Sequence, residues 1–361
     1  MPTRLCLWSL LLLMCGGARV ALAEPYFAVA TGLKCSACHV NPTGGGMRST
    51  FGSVWGQTVL PSKQVMGEGG PLTGEVNRFL ALGTNLRGSG TWTDAPDSPS
   101  TNSFDLTSMR LYIDLRLVPE RLGVYIDERL APGDANNAEA YLRLWSKDNR
   151  FYLKAGQMYL PYGIRLQDDS AFIRENTGIG FNTPDRGIEL GFDGIRWTAQ
   201  LAVSNGTAGA PELDKGKQWS LRAEYVAPRW RAGGSFNIND FDAGSRSMQN
   251  LFAGLRTGPV AWLAEVDHIV DSTAAPDLTQ WAALTEANWT VRKGHNLKFT
   301  AELFDPNDAV SDDEQTRLSL VWEFTPIPFL QLRVGIRNYD DVREVPFNNQ
   351  RIGFVQLHGY F

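Results

Sequence analysis

Cys35-Ser36-Ala37-Cys38-His39 is the stretch of this sequence whose residue types and spacing point most directly to chemistry. Two thiols at i and i+3, followed at once by an imidazole, form the CxxCH pattern of c-type haem attachment. The spacing has a mechanical reason. The two thiols reach the two vinyl groups of one porphyrin, and the histidine beside the second thioether faces the iron from the proximal side. The motif predicts one covalent haem c on Cys35 and Cys38, with His39 as proximal iron ligand. A Cys35–Cys38 disulfide is the plainer alternative, but it leaves His39 without a role. A zinc site wants four ligands, and no second Cys/His pair stands at ligand spacing.

The sixth iron ligand is open between two residues. Met47 follows His39 across the flexible Thr43-Gly44-Gly45-Gly46 segment and can fold back onto the iron or pack on the porphyrin face. His/Met ligation would raise the reduction potential relative to two histidines. His358 is the other candidate, whereas His268 and His295 read as ordinary barrel residues. The triple glycine is no P-loop, since no Gly-Lys-Ser/Thr follows it. No hydrolytic triad or zinc constellation stands out.

Residues 1–23 read as an export signal, with Arg4 as the positive region, Leu5 to Cys15 as a short apolar run and Ala21-Leu22-Ala23 as the cleavage site. Lipidation at Cys15 is disfavoured by the bulk of Met14 before it. Removing Arg4 and Arg19 moves the formal charge from −5 to about −7. That mild acidity argues against a nucleic-acid partner. Only Cys35 and Cys38 then remain, so their use must be local. No stretch is long and apolar enough for a membrane helix, which leaves a β-barrel as the means of crossing a bilayer.

From Glu75 to Phe361 the hydrophobic period is two. Leu111, Ile113, Leu115 and Leu117 alternate with Arg110, Tyr112, Asp114 and Arg116; Leu318, Leu320, Trp322 and Phe324 alternate with Arg317, Ser319, Val321 and Glu323. Tight turns such as Val118-Pro119-Glu120, Asp193-Gly194 and Gly258-Pro259 alternate with longer polar segments, among them 88–103, 160–184, 205–217, 237–247, 305–314 and 339–349. Short periplasmic turns and long extracellular loops are the habit of outer-membrane barrels. Trp145, Trp197, Trp230, Trp262, Trp289 and Trp322 fall near the short turns, as an interfacial ring requires. The reading is an all-β transmembrane antiparallel barrel of about sixteen strands, finishing on Phe361 as such barrels finish on an aromatic residue. Arg110, Asp114, Arg143, Arg222, Glu224, Glu302, Arg317 and Arg333 would face its lumen, each most simply as part of a cross-paired polar wall.

The domain division expected is a signal at 1–23, a monohaem segment at 24–74 and the barrel at 75–361. An even strand number puts both barrel ends on the periplasmic side, so residues 24–74 sit at that mouth or enter the lumen from it. A segment of about fifty residues is too short for a sizeable core of its own, so the wall must shelter the haem. His358 faces inward near the same rim. Acidic loops (Asp305, Asp308, Asp312, Asp313, Glu314; Asp340, Asp341, Glu344) read as solvated surface or as a cation-concentrating mouth.

In layout the chain resembles the fused monohaem cytochrome–porins of iron-oxidising bacteria, as a divergent member. The resemblance rests on Cys35, Cys38 and His39, then Pro42 and the Phe51-Gly52 pair, ahead of a barrel. The Gly44-Gly45-Gly46 insert and short loops depart from that pattern. The resemblance implies an outer-membrane electron conduit rather than a classical enzyme. It would pass single electrons between an extracellular redox-active metal or small molecule, ferrous iron in the family, and a periplasmic c-type cytochrome. One haem spans well under half of an apolar band about 25 Å tall, so either the donor enters the lumen, or the haem sits high, or a partner cytochrome reaches in from below. A diffusion porin with a haem-bearing structural or sensory plug is the alternative. A soluble periplasmic haem protein is the third reading.

Overall fold

A computed structural model describes residues 24–273, 275–340 and 349–361. The export signal and its cleavage site, with Asp341 and Glu344 of the acidic loops, lie outside the described residues. A short strand β1 (Glu75–Asn77) leads into sixteen strands, β2 (Leu80–Asp94) to β17 (Arg351–Tyr360). Each pairs antiparallel with its sequence neighbours, and β17 pairs with β2 from Arg351↔Asp94 to Tyr360↔Asn85, so the sheet closes. Phe361 completes the seam by exchanging two 3.0 Å backbone hydrogen bonds with Thr84. Closure leaves no unpaired edge, as a sheet in lipid requires.

The burial pattern is that of a membrane barrel, apolar outward and polar inward. On β15 (Gln315–Ile327), Leu318 and Leu320 are 49% and 50% exposed, whereas Arg317 and Ser319 between them are 1% and 6% exposed. Trp197, Trp230, Trp262 and Trp289 stand exposed near the short turns, and Trp92, Trp219 and Trp281 form a second exposed set near the long loops. These are the two aromatic belts of an outer-membrane barrel, the expected location of this chain.

Two long segments of the expected pattern are strand instead. Residues 88–103 hold the ends of β2 and β3 (Thr101–Val118) with 95–100 as the connection, and 237–247 is a hairpin between β10 (Trp230–Phe241) and β11 (Gly244–Thr257). Their polar residues face out of the membrane layer, where strand pairing continues without an apolar face, so periodicity ends before the strand does. Residues 159–184 form the long connection between β6 (Phe151–Met158) and β7 (Asp185–Asp193), but they do not lie at the surface. Leu160, Ile164, Phe172 and Ile173 are buried, and the segment folds into the lumen.

Residues 24–61 enter the lumen from the short-turn end, and 63–70 stand exposed at that mouth, where Lys63 N donates to the Pro326 carbonyl at 3.0 Å. Helix α1 (Pro25–Thr31) packs on β11 and β12 (Val260–Asp271). Its Tyr26 hydroxyl donates to Glu323 at 2.8 Å, and the Ala30 carbonyl accepts from Arg256 at 2.7 Å. Helix α2 (Cys35–Cys38) is one turn, and α3 (Thr50–Thr58) follows a hairpin. The loop 159–184 carries the short helix α4 (Phe172–Glu175). The lumen is therefore filled from both ends rather than open.

Candidate functional site

The hairpin between α2 and α3 is fixed by three consecutive glycines. Gly44, Gly45 and Gly46 have φ of 88°, 79° and 64°, the left-handed region that other residues enter at a cost. A Cβ on Gly45 would lie 2.5 Å from the Phe181 ring, and one on Gly46 2.4 Å from the Tyr125 hydroxyl. The insert that looked like a flexible link is thus a tight turn wedged between the inward loop and the wall. Its arms are held by Val40 N donating to the Met47 carbonyl at 3.0 Å and by a bridge between His39 and Arg48.

Helix α3 backs directly on α2. Ser49 caps α3 by accepting from Gly52 N at 3.1 Å, and its own hydroxyl donates to the Ala37 carbonyl at 2.8 Å. A Cβ on Gly52 would fall 2.2 Å from the Cys38 carbonyl oxygen. The glycine of the Phe51-Gly52 pair is there because no side chain fits between the helices.

The wall orients this unit at several points. Arg143 donates to the Val40 carbonyl at 2.7 Å, and Lys34 pairs with Asp193 of the short β7–β8 turn (β8, Trp197–Ser204). Asn41 donates to Glu139 at 3.0 Å and accepts from Lys154 at 3.0 Å, while Lys154 pairs with Glu189 at 3.0 Å. These groups are fully buried; Lys154 has its counter-charge in Glu189, and Glu139 accepts hydrogen bonds from Asn41 and from Tyr159 N.

Cys35, Cys38, His39 and His358 line one cavity of about 1610 Å³ of free space, open in part to solvent. Met47 is not on its lining. That side chain is buried among Tyr112, Tyr125, Tyr141 and Met158. Of the two candidate sixth ligands, the fold brings His358 to the cavity of His39 and turns Met47 away. His268 and His295 lie elsewhere, against Trp281 and Trp322.

The residues fit a covalently held haem in three respects. First, both thiols and His39 open on the same space. Second, His39 Nδ1 is buried without a hydrogen-bond partner, and burial, aided by Arg48, pushes the imidazole down to about 4. It is therefore neutral at ordinary pH, as a metal ligand must be. Third, burial and the nearby Cys35 push the Cys38 thiol up to about 11, so the thiolate that would start a disulfide is scarce. Among the described residues no group of three or more His, Cys, Asp or Glu side chains is placed to hold a free metal ion.

His358 is set in one tautomer. Arg87 Nε can only donate, and it does so to Asn85 Oδ1 at 3.2 Å. The Asn85 amide nitrogen is therefore the atom 3.0 Å from His358 Nε2, which must accept. The proton then sits on Nδ1 and is donated to Gln331 Oε1 at 3.2 Å. A ring donating from Nδ1 with a lone pair on Nε2 is how ligating histidines are commonly oriented. Asn85, Arg87 and Gln331 were not singled out from the sequence, since strand parity marks them merely as inward polar residues.

The eight inward charges read from strand parity form the cross-paired wall expected of them. Arg110 pairs with Asp127 at 2.9 Å, Asp114 with Arg143 at 3.4 Å, and Arg333 with Glu323 at 3.2 Å. Arg317 pairs with Glu302, and Arg222 with Glu224 at 3.3 Å.

No protein-family model and no curated protein matches the chain. Solved structures with the same fold do. Outer-membrane expressed OmpT of Vibrio cholerae superposes with a TM-score of 0.59 at 13% identity, over 80% of this chain and 99% of that one. An anion-selective porin from Comamonas acidovorans gives 0.61 at 12% identity, over 78% and 99%. Pseudomonas putida OprB gives 0.61 at 10% identity, over 79% and 94%. At such identities the likeness establishes the outer-membrane barrel and no more.

Proposed function

We propose that this chain is an outer-membrane electron conduit. One haem c would be attached to Cys35 and Cys38, with His39 as proximal and His358 as distal ligand. Kinship with the fused cytochrome–porins of iron-oxidising bacteria belongs to the same proposal, with ferrous iron or another extracellular reductant as donor and a periplasmic c-type cytochrome as acceptor. The observation that carries the reading is the shared cavity: the CxxCH thiols, its histidine and His358 meet inside a barrel whose lumen is otherwise filled.

When bound, the group supplies a reversible one-electron couple. The chain's own residues hold it and keep water away. Helices α1 and α3 close the short-turn side, and Ile164, Arg165 and Phe181 of the inward loop face the cavity from the other. With the proton on Nδ1, Nε2 of His358 would be the ligating atom, and it would give up the Asn85 amide hydrogen bond it now accepts. A filled lumen hinders solute diffusion, which is compatible with electron passage.

The porin likenesses favour a second reading, a diffusion channel whose N-terminal segment is a haem-bearing plug. Haem staining of purified outer membranes tests the first premise, with loss of stain expected in Cys35→Ala and Cys38→Ala. On intact cells, a membrane-impermeant reductant added outside should bleach and restore the haem spectrum. Absence of stain in cells competent for cytochrome maturation would sink the proposal. Solute conductance in planar bilayers, equal in the native chain and in Cys35→Ala, with no redox response, would establish the channel reading instead.

A further inference from the structure

We propose that Arg48 and Arg87 are the receptor for the two carboxylates of the tetrapyrrole taken by this cavity, an inference that rests on the haem reading above. The cavity is lined with basic side chains, and most of them are already committed. Lys34 pairs with Asp193, Arg110 with Asp127, and Arg222 and Arg231 share Glu224. Arg165 also lacks a carboxylate within ion-pair distance, but its guanidinium is spent on four oxygens, Thr43 Oγ1 and the carbonyls of Gly44, Tyr159 and Leu160.

Arg48 and Arg87 stand apart. The Arg48 guanidinium lies over the Tyr360 ring, 4.2 Å from its centroid. Arg87 is 9% exposed and donates to neutral amide oxygens alone, those of Asn85 at 3.2 Å, Gln356 at 3.4 Å and Gln167 at 2.8 Å. Among the described residues neither has a carboxylate within ion-pair distance, 4.0 Å. A sheltered guanidinium without a counter-charge is unfavourable, and one that gains a carboxylate recovers a charge-assisted, often bidentate contact.

Position argues for the same assignment. The two arginines come from separate elements, the hairpin arm after the CxxCH motif and strand β2, yet both line the cavity. Arg48 bridges His39 across the hairpin, which places it beside the attachment point. Arg87 reaches His358 through Asn85. A haem tetrapyrrole carries two propionates, and two uncommitted cations face the space that would hold it.

The test uses the full chain with Cys35→Ala and Cys38→Ala, purified in detergent and checked for closure by heat-modifiable migration. It is titrated with metal-free protoporphyrin IX and with the dimethyl ester of that porphyrin, followed by porphyrin fluorescence. The free acid should bind at least tenfold more tightly than the ester, and that preference should vanish when Arg48→Gln and Arg87→Gln are added. In the attached protein, Arg87→Gln should lower the midpoint potential by about 59 mV, a tenfold shift of a one-electron equilibrium, while Arg87→Lys retains most of it. Equal binding of acid and ester, or a preference that survives both glutamines, overturns the inference and leaves the haem reading standing. If neither porphyrin binds and the native chain fails to stain for haem, both fall together.

Discussion

Arg165 donates to the Gly44 carbonyl at 2.8 Å and, from the same nitrogen, to Thr43 Oγ1 at 2.7 Å. One partner belongs to the loop entering from the long-loop end, the other to the hairpin entering from the short-turn end. The two plugs of the lumen are therefore one unit, joined at the tip of the triple-glycine turn. A half-buried guanidinium holds them, so separating the two breaks both charge-assisted hydrogen bonds.

This junction predicts that Arg165→Ala loosens both plugs at once. Hydrogen bonds to charged groups contribute ~1.5–3 kcal/mol. Amide hydrogen exchange in residues 41–46 should rise at least tenfold, and bilayer conductance should increase with it. Unchanged exchange at the hairpin would mean that the wall contacts of Asn41 and Val40 suffice without the arginine.

Gly52 gives a sharper local prediction. The methyl of Gly52→Ala would sit 2.2 Å from the Cys38 carbonyl oxygen, so α3 must move off α2. The barrel strands do not touch this residue's missing side chain. Haem-stained product should fall severalfold while heat-modifiable migration of the barrel stays normal. A fully stained Gly52→Ala protein would show that the two helices pack less closely in the mature state.

Much of this was legible in the sequence, and the reason is period. Alternation in segments such as 110–117 and 317–324 marks which side chains meet lipid, and that alone fixes inward and outward faces for most strands. The same parity put His358 inside. What parity cannot carry is the course of a loop. Residues 160–184 look like any polar connection, yet Phe172 N donates to Glu302 at 2.7 Å and Gly163 N to Ser235 at 3.0 Å, contacts across the lumen that leave no periodic trace. Met47 shows the same limit of sequence spacing. Spacing from His39 gave it reach, but the positive φ of Gly44 to Gly46 turns the chain so that Met47 enters the tyrosine cluster. The carboxylate-free state of Arg48 and Arg87 is a property of neighbours from β2, β17 and the inward loop, and no local pattern encodes it.

Lys298 anchors the start of the described chain. It pairs with Glu24 and lies 3.7 Å from both Glu286 and Glu323. Lys298→Met removes one cation facing three sheltered carboxylates, and breaking a buried pair from one side costs ~3–5 kcal/mol. The guanidinium midpoint of the protein in micelles should fall, and Glu24 should become accessible to proteases at the short-turn mouth. Combining Lys298→Met with Glu323→Gln should restore part of the loss, because it removes the stranded charge. If the single variant unfolds at the native midpoint, the cluster is already neutralised by Arg333, which lies 3.4 Å from Glu24 and 3.2 Å from Glu323.

The inward loop supplies a pH prediction with a definite sign. Asp168 lies in that loop and holds Arg337 at 2.6 Å and Arg317 at 3.1 Å. Burial would by itself raise its carboxyl, but Arg337 and Arg317, with Ser170, hold it well below the usual carboxylate range. A carboxyl depressed in the folded state binds protons less readily there than in the unfolded chain, whose value is about 3.9. Its contribution is thus complete above that value and is lost as pH falls through the lower folded one. The loop should stay docked from neutral pH to about pH 4 and release only in stronger acid, read as a rise in bilayer conductance. Asp168→Asn should show the raised conductance already at pH 7, with no further rise on acidification to pH 4. A native barrel that opens between pH 6 and 5 would instead assign the latch to a group with an ordinary or raised pKa, and Asp168 would not be it.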